Sequence, residues 1–119
     1  MPPAVHDRLL AHTSHLPHLV AAVLTLAVAS AERGDVALDD LVAGGFRDTT
    51  RIARGAPDLW RDILLDNRDQ VLAAMDALDG RLAALRESLS RNDGSAVRHL
   101  LAQAKEARDA LEERGVARS

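Results

Sequence analysis

The sequence predicts an all-α protein, a helical bundle with a long buried N-terminal helix and a long C-terminal helix, shared in an intertwined dimer. Strand-forming aromatic residues are scarce, since the 119 residues include one Trp, one Phe and no Tyr. Apolar residues recur at helical spacing along most of the chain. Alanine-rich helices bury little area each, which favours a core shared with a second copy.

Charge and cysteine content exclude several classes. A net charge of −3 and a pI near 5.9 argue against a nucleic-acid-binding surface. The absence of cysteine excludes disulfides and thiolate metal sites and fits a reducing, cytoplasmic compartment. The apolar run 16–31 is interrupted by Pro17 and His18, and its uncharged remainder is shorter than the ~20 residues of a membrane span. It therefore predicts a buried helix and no membrane contact.

The first helix is expected from about Val5 to Arg33, bent or divided at Pro17, which lacks a backbone donor. From Leu16 onward it is apolar nearly all round, and a dimer interface explains this most simply. Gly34 ends the helix, and a short helical segment follows over residues 35–42. Residues 1–4 are interpreted as a linker remnant, 5–114 as one helical domain and 115–119 as a frayed tail.

The second half of the chain predicts long helices. A short helix over residues 48–54 closes at Gly55, and a long helix runs from Pro57 to about Ser90 with a heptad-like seam. Gly80 is a weak point inside it. A turn signal at residues 92–95 precedes a last helix over residues 96–114.

The stretch from Ala43 to Ala53 concentrates two glycines, an acid and two arginines between apolar helices. Paired glycines allow a sharp turn or close approach to a ligand, and arginine can hold a carboxylate or phosphate with two parallel hydrogen bonds. Asp48 and Arg51 are three residues apart, so Asp48 can hold the arginine until a carboxylate ligand competes for it. A surface ion pair worth ~0–1 kcal/mol is the alternative.

Polar residues cluster on the first helix as His12, Ser14, His15 and His18. Ser14 and His18 are four apart and His15 and His18 three apart, so each pair shares a face. Packing at a helix end, contact with a polar ligand and a metal site all remain open, although no nearby acid completes a metal site. Trp60 follows Arg51 by nine residues, across a corner from Gly55 to Pro57, and is either a core residue or a residue that lies over the region of Arg51.

Several catalytic motifs are missing from the sequence: it contains no G-x-G-x-x-G, P-loop, nucleophile elbow or H-E-x-x-H. No paired carboxylates stand out as an acid–base couple. Charge and spacing alone therefore indicate a binding or dimerising helical module.

Four motifs in order carry a resemblance to a known family: His6-Asp7-Arg8, the run from Ser14 to His18, the run from Gly44 to Ala53, and Pro57 to Ile63 with Asn67. Over about residues 5–89 the chain resembles the C-terminal domain of prephenate dehydrogenases, enzymes of tyrosine biosynthesis that also act on arogenate. The last helix is more generic.

The resemblance implies a dimeric helical domain that follows a Rossmann domain binding NAD or NADP, with the active site between the two. Substrate would be oxidised by hydride transfer with loss of carbon dioxide. By motif position, Arg51 would bind a substrate carboxylate, and Asp48 would pair with Arg51 and help to gate the site. The residues implied to line the pocket are Ser14, His18, Trp60 and the backbone of Gly44, with His6 and His15 as further candidates.

The chain departs from the family by lacking the dinucleotide-binding domain and its catalytic histidine. We therefore expect no catalytic residue, no metal and no bound cofactor in this chain alone. It is either an excised substrate-binding and dimerisation domain or a stand-alone module for dimerisation or for sensing an aromatic metabolite such as tyrosine.

Overall fold

The computed structural model describes residues 1–31 and 44–115, which form helices and contain no strand. The all-α prediction is confirmed. The helices are α1 (Pro3–Leu10), α2 (Leu16–Ala29), α3 (Gly44–Thr50), α4 (Pro57–Asp66), α5 (Arg68–Ser90) and α6 (Gly94–Glu113). Residues divide into two compact units, 1–76 and 77–119. Gly34, the segment 35–42, Ala43 and residues 116–119 of the tail lie outside the described residues.

Pro17 modifies the first helix without dividing it. Between α1 and α2, residues Ala11–His15 form a wider π-helical turn. Proline has no N–H, and its ring crowds the carbonyl four residues earlier, here that of Thr13. A π-helical turn relieves that crowding and is common at functional sites. The helix begins at Pro3, earlier than predicted, because proline suits a first helical turn.

The core of the first unit lies between the N-terminal helix and the start of α5. Ala11, Val71 and Ala74 are buried there, and the flanking side chains are those of Leu16, Leu19, Leu64 and Met75. The predicted burial of the first helix holds for one face in a single chain. Val23 and Leu26, on α2, are 57% and 68% exposed.

By length and composition alone, the helical run Pro3–Ala29 could cross a membrane, with a mean hydropathy of 1.3 over its most apolar window. Core helices of soluble proteins meet the same criterion. Here the run carries the buried imidazoles of His15 and His18, and Leu16 and Leu19 pack against the core. In a single chain, 22% of that most apolar window is buried.

The prediction of one helix from Pro57 to Ser90 is wrong, because the chain breaks at Asn67. The backbone of Asn67 leaves the helical region at φ −115° and ψ 29°, which ends α4 and lets α5 start at Arg68. Its carbonyl still accepts a hydrogen bond from the N–H of Val71 at 2.9 Å. Apolar periodicity continues across the break, so the pattern gave no sign of it.

The second unit contains the end of α5, the turn predicted at residues 92–95, and α6. Asn92 adopts a left-handed conformation at φ 55°, and the side chain of Asp93 caps α6 by accepting from the N–H of Ala96 at 3.0 Å. The predicted seam on α5 lines a groove against α6. Its lining includes Leu78, Leu82, Leu85, Leu100, Ala104 and Ala107.

Candidate functional site

The site is built around the contact of Trp60 with His18. The indole and imidazole rings are stacked, with centroids 3.7 Å apart and an interplanar angle of 10°. A second imidazole, His15, meets Trp60 edge-on at 6.3 Å and 82°. Both histidines are buried, at 8% exposure for His15 and 7% for His18. The first turn of α4 thus lies against the π-helical turn and the start of α2.

Gly55 lets these rings approach the backbone. A Cβ atom there would lie 2.8 Å from Nε1 of Trp60 and 2.9 Å from Cε1 of His18. The backbone of Gly55 is extended, at φ −59° and ψ 158°, which any residue can adopt. The requirement for glycine is therefore one of space. Because Gly55 ends the 3₁₀ turn Arg51–Arg54, the stacked rings also hold that turn against α2.

Two predicted ligand-contact residues keep unused hydrogen-bonding groups. Ser14 is half-buried, and neither its hydroxyl nor the ring of His18 bonds to another described residue. Burial lowers the pKa of His18 below its usual value of 6.5. The ring is therefore neutral at pH 7, with one nitrogen to donate and one to accept.

Arg51 and Asp48 form the predicted ion pair. Nη2 of Arg51 lies 2.5 Å from Oδ1 of Asp48, and the two side chains are 68% and 74% exposed. Exposed pairs contribute ~0–1 kcal/mol to stability because water screens them. The geometry fits a pre-positioned guanidinium equally with a surface pair, so the roles of both residues stay predictions.

The glycines do not form the expected tight turn within the described residues. Gly44 and Gly45 lie in the first turn of α3, and a Cβ at either would meet nothing within 4 Å. The predicted contribution of Gly44 to a pocket floor is untested. The predicted short helix over residues 48–54 is instead α3, Gly44–Thr50, followed by the 3₁₀ turn Arg51–Arg54, and the hydroxyls of Thr49 and Thr50 donate to the carbonyls of Gly45 and Phe46 at 2.7 Å.

The remaining histidines of the first helix point to other partners. His6 is exposed, and its Nδ1 lies 3.8 Å from a carboxylate oxygen of Asp7. His12 is exposed, and its Nδ1 donates to the carbonyl of Arg8 at 3.0 Å. Across residues 1–31 and 44–115, no three His, Asp or Glu side chains come together as a metal site would require.

Asn67 is a site residue whose role the spacing did not reveal. Its Nδ2 lies 2.8 Å from the carbonyl oxygen of Asp7 and 3.2 Å from Nδ1 of His15. The amide therefore links the α4–α5 junction to the N-terminal helix and to the aromatic cluster. Only the position of Asn67 in a family-like motif singled it out from sequence.

Three grooves among the described residues lie elsewhere. One of about 570 Å³ is formed by residues of the second unit, including Leu89, Val97 and Leu101. A smaller one, of about 380 Å³, follows the α4–α5 junction from Leu65 to Gln70. None of Ser14, His18, Arg51 and Trp60 lines them.

The described helices and the clustered rings of His15, His18 and Trp60 define an all-helical domain. Residues 2–103 match the family described as the dimerization domain of prephenate dehydrogenase. The chain belongs to that family.

Similar proteins have names that agree with this family. The prephenate dehydrogenase of Bacillus subtilis is 37% identical over 93% of this chain and 30% of its own length. Synechocystis arogenate dehydrogenase superposes with a TM-score of 0.86 at 32% identity, covering 92% of this chain and 40% of that one. Aquifex aeolicus prephenate dehydrogenase, solved with hydroxyphenyl propionate and NAD+, superposes with a TM-score of 0.85 at 34% identity. The superposition covers 93% of this chain and 39% of the Aquifex chain. The chain spans about a third of its curated relatives.

We predict that Gly55→Ala will disrupt the ring stack. The added Cβ would overlap both rings, and accommodating extra atoms in a packed site costs about 1–3 kcal/mol. Because Trp60 is the single tryptophan, its fluorescence and near-ultraviolet circular dichroism report on this contact alone. The unfolding midpoint should fall and both spectra should change.

Gly80→Ala is the matched control for this variant. Gly80 lies inside α5 with open space around its Cα, so alanine there should stabilise the helix by about 1 kcal/mol and leave the Trp60 signals unchanged. Equal stability of Gly55→Ala and wild type would contradict the steric role of Gly55.

Stability should also depend on the titration of His18. Burial lowers the folded-state pKa of this imidazole, so between that pKa and 6.5 the unfolded chain binds more protons. The free energy of unfolding therefore falls as pH drops below 6.5. Urea titrations between pH 7.5 and 5 measure this slope. His18→Phe keeps an aromatic ring and the other four histidines, and its slope should be shallower. Identical slopes would refute the assignment.

Proposed function

We propose that this chain is the substrate-binding and dimerisation domain of a prephenate or arogenate dehydrogenase. The observation that carries the proposal is the stack of Trp60 on His18 in a chain that matches the family. Both rings lie close to Gly55, which is four residues after Arg51. This arrangement combines an aromatic surface with a cation. Prephenate and arogenate combine a six-membered ring with carboxylate groups.

Each predicted side chain has a chemical task towards such a ligand. The guanidinium of Arg51 binds a carboxylate with charge-assisted hydrogen bonds, and Asp48 orients it until the ligand arrives. The hydroxyl of Ser14, which has no hydrogen-bond partner among residues 1–31 and 44–115, and the neutral ring of His18 bond to polar groups of the substrate. Gly44 contributes backbone at the floor of the pocket. Hydroxyphenyl propionate, present in the Aquifex aeolicus structure, has the same combination of ring and carboxylate.

Hydride chemistry belongs to another domain in this proposal. The residues of this chain do not fit a dinucleotide, because the sequence has no G-x-G-x-x-G turn and the described helices offer no strand to precede one. NAD or NADP would supply the hydride acceptor when bound by a Rossmann domain in the complete enzyme. This chain would bind and orient the substrate. We place the enzyme in the cytoplasm, as a component of tyrosine biosynthesis that tyrosine itself could inhibit.

Dimerisation explains how the chain completes its core. In the described residues, the buried apolar side chains are Ala11, Ala21, Val71 and Ala74, and no large side chain is fully buried. Val23 and Leu26 of α2 expose more than half their surface. Covering an apolar face gains about 25 cal/mol for each Å² removed from water. A second copy of the chain provides such a cover, and the homodimer is part of this proposal.

We predict that Arg51→Ala will weaken binding of carboxylate ligands. Loss of a charge-assisted hydrogen bond costs roughly 1.5–3 kcal/mol, about 10- to 150-fold in affinity. Isothermal titration of the chain with hydroxyphenyl propionate and with prephenate measures the change. Tyrosine is titrated in parallel as a candidate inhibitor.

Arg91→Ala is the control for charge, because Arg91 is also exposed and paired with an acid, Glu87, but lies just after α5, in the second unit. The affinity of Arg91→Ala for hydroxyphenyl propionate and prephenate should match that of the wild type. If neither ligand binds the chain and Arg51→Ala changes nothing, the pocket proposal for this domain fails.

The dimer should depend on the exposed face of α2. Light scattering at micromolar concentration should give twice the 12.8 kDa mass of the chain. Leu26→Glu places a charge on that face and should shift the protein to monomer, with helical circular dichroism retained because Leu26 is 68% exposed in one chain. Leu26→Met keeps the surface apolar and should remain dimeric. A well-folded wild-type monomer would contradict the proposal.

A further inference from the structure

The amide of Asn67 lies between a backbone carbonyl and an imidazole nitrogen. A carbonyl oxygen only accepts hydrogen bonds, so the atom 2.8 Å from the carbonyl of Asp7 must be the amide nitrogen of Asn67. That nitrogen has two hydrogens and no acceptor capacity. Its second hydrogen is directed to Nδ1 of His15, 3.2 Å away. Nδ1 must therefore be unprotonated, and the neutral ring must carry its proton on Nε2.

We propose that Asn67 is a positioning residue of the site, which fixes His15 as the Nε2–H tautomer and sets its ring edge-on to Trp60. Asn67 itself touches no substrate. His15 is 8% exposed and meets Trp60 at 82°, and Trp60 stacks on His18. The Asn67 amide thus orients His15, which contacts Trp60, and Trp60 stacks on His18. Both stacked rings lie close to Gly55, which ends the turn that carries Arg51.

The break between α4 and α5 is explained by the same contact. Inside a continuous helix the backbone of Asn67 would be helical; here it is at φ −115° and ψ 29°. The amide reaches the carbonyl of Asp7, sixty residues earlier in α1, and the ring of His15 in the wide turn that precedes Pro17. A helix interruption at this position costs backbone hydrogen bonds, and the two side-chain bonds of Asn67 offset part of that cost.

The fixed tautomer has a chemical consequence for the ligand. With Nδ1 occupied by Asn67, Nε2–H is the remaining polar group of His15, and it can only donate. No described residue accepts from it. His15 is therefore poised as a donor to an oxygen of a bound ligand. This last step rests on the proposed function, whereas the tautomer itself does not.

Nuclear magnetic resonance of the full chain labelled with ¹⁵N in histidine tests the tautomer directly. Long-range proton–nitrogen correlation distinguishes protonated from unprotonated ring nitrogens, and His15→Gln identifies the signals of His15 by their loss. We expect an unprotonated Nδ1 and a protonated Nε2 at pH 7.5. A proton on Nδ1 in the wild type would overturn the proposal, whatever the ligand does.

Asn67→Asp is the informative variant because a carboxylate has no hydrogen to donate. It should force a proton onto Nδ1 of His15, a change that mere loosening of the structure would not produce. Asn92→Asp makes the same substitution in the α5–α6 turn and should leave the His15 signals unchanged. An unchanged Nδ1 in Asn67→Asp would refute the role of Asn67.

Titration with hydroxyphenyl propionate then separates the two proposals. Asn67→Asp should bind about 3- to 10-fold more weakly than wild type and than Asn92→Asp, as expected for loss of one hydrogen bond in the support of a site. Wild-type affinity in Asn67→Asp would refute its role in the site. If the wild type does not bind this ligand, the proposed function fails for this chain, and the tautomer measurement still decides the role of Asn67.

Discussion

The stack of the Trp60 indole on the His18 imidazole is the contact on which the rest of the site depends. Its two rings come from α4 and α2, and the backbone of Gly55 lies directly beneath them. Aromatic pairs bury much area for few rotatable bonds. In a core otherwise made of alanine, valine and leucine, this one contact fixes the position of the turn that carries Arg51. The Trp60–His18 contact therefore belongs both to the candidate site and to the packing of the first unit.

Two irregular backbone segments make that contact possible. The π-helical turn Ala11–His15 precedes Pro17 and displays His15 and His18 towards α4. The break at Asn67 ends α4 soon after Trp60 and returns an amide to the same turn. With regular helices in both places, His15, His18 and Asn67 would lose the contacts that they make here. Backbone deviations of this kind persist where surrounding contacts hold them, and they concentrate at functional sites.

Composition and apolar periodicity predicted the all-α class and the seam on α5, and the turn-forming residues at 92–95 predicted the turn before α6. Periodicity could not predict the break at Asn67, because the apolar pattern continues through it and the cause is a contact sixty residues away. The Asp48–Arg51 pair followed from spacing on a helix, and the structure contains it. The ring stack did not follow from spacing. His18 and Trp60 entered the predicted site mainly through the family motifs, and Gly55 was expected only to close a helix.

The aromatic and the charged side chains of the candidate site differ in burial. His15 and His18 are buried, whereas Arg51 and Asp48 remain more than two-thirds exposed in this chain. In water an exposed ion pair of this kind contributes little to the stability of the fold. Excluding water strengthens such contacts several-fold, because the effective dielectric constant falls. A carboxylate bound by Arg51 would therefore be held more tightly where another surface also excludes water from the contact. In the function proposed above, this chain places the cation and a second surface excludes water, and this is the physical argument for a site at a boundary between domains.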